Sequence, residues 1–285
     1  MPLIANRKDA IVGLLAVVTI VAAVTAIVVE FQRIERREQL VTEINSAGGV
    51  IAFTVPYDAD PDNRDRSQPT TYTSLDFYKA TIDDQWLSDR STLQECPLDQ
   101  LFLNGERLSD ESVTSVLQLH PLEFFQGINV RISDDAAASL SSNTRFRELL
   151  LEKSHLSDSA FQRLPLERIE QLGIAGTEVT PAGLAELRRC QRLRLLILDG
   201  AQFNHEVAQV LQSNGRPLSL LLKGPTVTDE YLGWLKPVMN VSLALNRTSV
   251  TPEGIADYRV GLPDRTVFVD GKRHGGRTNA GSGAD

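Results

Sequence analysis

Two short stretches carry residue types that could do chemistry. "DADPDNRD" (58–65) sets Asp58, Asp60 and Asp62 at alternate positions, the spacing of the first three ligands of a calcium loop. Such a loop also needs glycine sixth and glutamate twelfth, and Asn63 and Pro69 stand there instead. The stretch reads as a solvated acidic loop. "SHLSD" (154–158) brings serine, histidine and aspartate together. A nucleophilic triad is assembled from residues held in different directions, and immediate neighbours do not achieve this. The four histidines lack the spacing of a zinc site, and no glycine-rich phosphate loop occurs. Cys96 and Cys190 are too few for a disulfide framework, and "CQRL" (190–193) reads Cys190 as a small buried hydrophobe. The expectation is a protein that is not an enzyme, with no catalytic residue, cofactor, metal or small-molecule substrate.

The elements that would position any site follow from composition and patterning. The 285 residues are 42% apolar and 23% charged, enough for a substantial core. A net charge of −8 argues against nucleic acid as a partner. Residues 11–29, "IVGLLAVVTIVAAVTAIVV", form a charge-free run of 19. As a helix it would span about 28 Å, close to a bilayer's hydrocarbon core, and it exceeds the apolar core of a cleaved signal peptide. It predicts a single-pass transmembrane helix after an N-terminal tail at 1–10. Basic residues flank both ends, and the short tail favours the remainder lying on the non-cytoplasmic side. "RIERREQ" beyond it reads as a solvated helix face. Residues 30–75 are expected to give a juxtamembrane helix stopped at Gly48-Gly49, a strand in "VIAFTVPY", and a polar loop over 57–71.

A repeat then sets in. Pairs that suit a helix start fall at Ser109-Asp110, Ser133-Asp134, Ser157-Asp158, Thr180-Pro181, Asn204-His205, Thr228-Asp229 and Thr251-Pro252, spaced 24, 24, 23, 24, 24 and 23 residues. Apolar positions keep this register. Leu101, Phe125, Leu149, Leu172, Leu196, Leu220 and Leu243 recur, each followed two residues on by Leu103, Gly127, Leu151, Ile174, Leu198, Leu222 or Leu245. Two residues apart on a strand point the same way, so these pairs face one core. One repeat cannot bury its own leucines, but a stack can. "LDFYKATIDDQWLSDRSTLQE" holds Leu87-Ser88-Asp89, a degenerate copy, so 76–97 is expected to cap the array. The array itself covers 98–270, seven repeats and a last strand with Val267 and Val269. Residues 271–285 read as a disordered tail.

The pattern in "IEQLGIAGTEVTPAGLAEL" and "RLLILDGAQFNHEVAQVL" resembles the leucine-rich repeat of the short ribonuclease-inhibitor-like or cysteine-containing type. It is similar to bacterial membrane-anchored members of that family. The resemblance implies an α/β leucine-rich-repeat solenoid of short parallel strands and short helices, preceded by one transmembrane helix. The family's asparagine ladder is absent: Glu106, Arg131, Ser154, Thr177, Ala201, Pro225 and Thr248 stand at or near its place. The resemblance also implies a protein–protein interaction module with a protein partner. The alternative is a structural, self-associating envelope component.

The residue between each pair of strand leucines must point to the opposite face. That row is Phe102, Gln126, Leu150, Gly173, Ile197, Leu221 and Ala244, and its large apolar members Phe102, Leu150, Ile197 and Leu221 are the candidate binding residues. Residues 31–75 could instead cover it.

Overall fold

The computed structural model describes residues 38–54, 72–80, 82–89, 93, 98–119, 122–261 and 265–274. Contacts divide the chain into two units, 1–47 and 48–285. In the first, residues 38–46 are helical, with Leu40 and Ile44 buried on one face. The helix ends before Gly48, whose φ of 81° suits only glycine without strain.

The second unit is built on one large sheet. Its strands are β1 (Val50–Thr54), β2 (Tyr72–Phe77), β3 (Gln100–Asn104), β4 (Phe124–Ile128), β5 (Arg131–Ile132), β6 (Glu148–Glu152), β7 (His155–Leu156), β8 (Gln171–Gly173), β9 (Leu195–Asp199), β10 (Leu218–Lys223), β11 (Val241–Asn246), β12 (Val267–Val269) and β13 (Lys272–His274). Eleven of them pair in chain order, β1-β2-β3-β4-β6-β8-β9-β10-β11-β12-β13, and β5 pairs with β7 apart. The β1–β2 and β12–β13 pairs are antiparallel, and all other neighbours are parallel.

The expected fold class is corrected here. The described chain is α/β with a large, mostly parallel sheet, and no helix among the described residues is long and apolar enough to cross a membrane. The helices Asp110–Leu119 and His205–Asn214 have 10 residues each, so each spans about 15 Å, half a bilayer core. The expected membrane helix, 11–29, lies outside the described residues. The single-pass localisation, with the repeat domain on the non-cytoplasmic side, is corrected with it: no helix among the described residues supports it. The calcium-like stretch 58–65 and Cys96 also lie outside the described residues.

Each parallel crossover carries a helical segment on the same side of the sheet. Inward side chains stack in columns: Leu101, Phe125, Leu149, Leu172, Leu196 and Leu243 are 0% exposed, and Leu220 1%. On the helical segments, Val113, Ala137, Phe161, Leu184, Ala208, Leu232 and Ile255 are buried as well. Gly127 interrupts the second column because Val130 fills its place: a Cβ on Gly127 would lie 2.4 Å from Val130 Cγ2.

The helix ends are tied from each repeating unit of the array to the next. Ser109, Ser133, Ser157, Thr180, Asn204 and Thr251 each accept from the amide three residues on, as N-caps do. Thr228 makes no such bond. The acidic residue after a cap reaches the next unit. Asp158 accepts from the Thr180 amide (2.8 Å) and hydroxyl (2.6 Å), and Asp229 does the same with Thr251. Glycine is required opposite: a Cβ on Gly183 or Gly254 would lie 2.1 Å from the Asp158 or Asp229 carboxylate. The opposite helix ends are served by cations and amides. Arg168 donates to the carbonyls of Ser141 and Asn143, Arg189 to those of Gln162 and Leu164, and Arg265 to those of Lys236 and Val238. Positive charge at helix C-termini and negative charge at N-termini both oppose the helix dipole.

Three boundaries differ from expectation. The first helix of the second unit, Asp84–Ser88, is capped by Asp83 and not entered at Ser88; Asp84 then accepts from the Ser109 amide, which holds its carboxyl below the usual range. Gly183–Arg189 is a 3-10 helix. Lys272–His274, expected in the tail, is β13; Asp270 (φ 45°) and Gly271 (φ 79°) turn it back on β12, the Asp-Gly chemistry of a tight hairpin.

Gly183→Ala tests the Asp158–Thr180 tie. In a helical segment this change ordinarily stabilises by about 0.5–1 kcal/mol. Here the new methyl expels the Asp158 carboxylate from two hydrogen bonds, each contributing about 1 kcal/mol at a partly exposed site. The loss wins, and we predict net destabilisation of about 1 kcal/mol by urea titration. In an Asp158→Ala background the same change should be neutral or stabilising. Equal destabilisation in both backgrounds would count against the tie.

Candidate binding surface

The outward row is assembled by the parallel register. Phe102 pairs with Gln126, which pairs with Leu150, then Gly173, Ile197, Leu221, Ala244 and Phe268 in turn. The four candidate residues Phe102, Leu150, Ile197 and Leu221 thus lie on one line across the sheet. All four are half-buried, because each leans on its neighbours. Gly173 is buried: a Cβ there would sit 2.9 Å from Leu150 Cδ2 and 3.4 Å from Ile197 Cδ1, so these two side chains close over it. Leu150 and Ile197 therefore form one apolar surface across the glycine, continued by Leu221 on the next strand.

The row is wider than the sequence suggested. Phe124, two residues before Gln126 and on the same face, packs its ring 4.9 Å from that of Phe102. Leu195 stands likewise beside Gln171 and Ser219. Extending the alternation rule by two residues along each strand would have found both. Of residues 31–75, those in β1 and β2 extend the sheet sideways from β3 and do not lie across its face.

Around this surface the charges are ordered. Glu148, between Glu123 and Glu170, has its carboxyl pushed above the ordinary 4.5 by burial, opposed by a hydrogen bond from Gln171 and assisted by the two neighbouring carboxylates.

The residues of "SHLSD" are spent on structure. Ser154 is 2% exposed; its hydroxyl donates to backbone oxygen at Glu152 and accepts from the Val130 amide. His155 Nδ1 contacts Glu178, whose other oxygen accepts from the Leu156 amide. Ser157 caps a helix and Asp158 ties to Thr180. Among the described residues no three metal-ligating side chains converge. In place of an asparagine ladder, the buried Gln202 bonds across units: its amide nitrogen donates to the carbonyl of Ile174 and to the Thr177 hydroxyl, and its oxygen accepts from the Asp199 amide. In the sequence, Gln202 carries only a faint signal, a polar residue directly before a core position, Phe203.

No protein-family model matches this chain, and no curated protein matches it.

Two measurements check these environments. Glu148 has a raised pKa in the folded state, so its contribution to stability is present below the ordinary value and lost as pH rises through the raised one. We predict that Glu148→Gln raises the melting temperature at about pH 7 and leaves it unchanged at about pH 4; a shift of equal size at both would contradict this. Cys190 is a free thiol, 3% exposed, and burial pushes it up to about 12. With Cys96 replaced by serine, we predict that iodoacetamide leaves the folded protein unmodified and alkylates it once unfolded.

Proposed function

We propose that the chain is a leucine-rich-repeat type of interaction module, without catalytic activity, that binds a protein partner on the outward face of its sheet. The observation that carries this reading is the continuous apolar line through Leu150, Ile197 and Leu221, with Phe102 and Phe124 beside it, on a face that none of the described strands covers. A monomer rarely leaves such a line uncovered unless something docks there. A parallel array also presents successive outward side chains at about 4.8 Å, one from each strand.

Selection from a random peptide-display library tests the proposal. The expected result is a set of peptides that bind the parent chain and are lost when Leu150, Ile197 and Leu221 are all changed to glutamate. The triple variant should melt within a few degrees of the parent, because its side chains point away from the buried column. If the triple variant keeps every peptide, this face is not the site. If the parent selects no peptide and the triple variant dissociates a parent dimer in sedimentation, the partner is a second copy, as in a self-associating structural component.

A further inference from the structure

At the N-terminal ends of β9, β10 and β11 the surface opens into a hollow of about 670 Å³. Arg192, Arg194 and Arg216 line it, with Ser219, Ser242 and Asn240. Glu170 is the one acidic residue in its wall, and it lies 3.8 Å from Arg194, whose side chain is 80% exposed. Arg192 makes no ion pair among the described residues. Arg216 spends one nitrogen on the carbonyl of Gln191 and keeps the rest of its fork. Three guanidinium groups against one carboxylate make this a positive spot on a chain whose net charge is −8.

The hollow is continuous with the apolar line. Ser219 stands two residues before Leu221 on β10, and Ser242 two before Ala244 on β11, all on the outward face. Leu195, partner of Ser219, stands two before Ile197. The hollow therefore lies beside that line, two residues (about 7 Å) along the strands from Ile197 and Leu221, within reach of long side chains on a segment that crosses them. Guanidinium forks match carboxylates in a two-bond geometry, and the serine hydroxyls and Asn240 amide can complete the shell. Elsewhere the negative chain repels acidic partners, so the hollow also sets where along the sheet an acidic segment can settle.

We infer that this hollow seats the carboxylate of an acidic peptide segment whose apolar residues lie along Ile197 and Leu221. The inference rests on the reading of that face as a binding surface and names the chemistry of what binds there.

The test is fluorescence anisotropy on the full chain with three labelled eight-residue peptides that alternate leucine with glutamate, glutamine or lysine. The glutamate peptide should bind tightest and weaken with added salt. Arg192→Glu together with Arg194→Glu should weaken it by about tenfold or more and should strengthen the lysine peptide; both arginines are exposed. Unchanged melting of that double variant confirms the comparison. If the glutamine peptide binds as tightly as the glutamate peptide, or the charge reversal leaves the order of the three unchanged, the inference is overturned. In that case the binding-face reading still stands when Leu150, Ile197 and Leu221 changed to glutamate abolish binding, and falls when they do not.

Discussion

The constraint on which the rest depends is a large apolar residue at one fixed place in each unit, stacked strand upon strand. Burying one such leucine contributes about 2 kcal/mol, and no single unit has another surface to bury it against. Leu149 needs Phe125 on one side and Leu172 on the other, which fixes the strands as parallel neighbours in chain order. Once that column is set, alternation along each strand leaves no choice about the intervening residue: Leu150 must face outward because Leu149 and Leu151 face inward. The candidate binding surface is thus a consequence of the core and not a separate design.

Stacking brings like ends of helices side by side, and aligned dipoles repel. The carboxylates of Asp84, Asp158 and Asp229 at one set of ends, and the guanidinium groups of Arg168, Arg189 and Arg265 at the other, answer this while linking successive units. Each link reaches one unit only. Arg265 also lies over the Tyr258 ring, 4.6 Å from its centre, near the last strands, where fewer neighbours exist to share the load. Gly183 and Gly254 have no Cβ for the same reason: the neighbouring carboxylate occupies that space.

The repeat was legible because its signals are local and redundant. Six of the seven cap residues read from spacing accept the expected bond, and the apolar position on the helical segment is buried in all seven units. What escaped was chemistry that crosses units. Asp158 looked like a favourable charge at a helix start, whereas its main partner is Thr180, one unit on. Gln202 and Val130 act across units too, and pattern matching within one repeat does not reveal them. The first cap was misplaced from Asp83 to Ser88 because the spacing there stretches from 24 to 26 residues. The apolar row was readable residue by residue, but its closure over Gly173 and its continuation into the arginine hollow are properties of neighbouring strands.

The reading of function turns on which side chains face out. A cysteine scan settles it most directly, in a background where Cys96 is serine and Cys190 stays buried. Single cysteines would replace Leu150, Ile197 and Leu221, and separately Leu149, Leu196 and Leu220, with thiol labelling followed on the folded protein. The outward three should react readily and the inward three only on unfolding. Comparable rates in the two sets, or protection of the first set in the isolated protein, would contradict the alternation that places the binding surface.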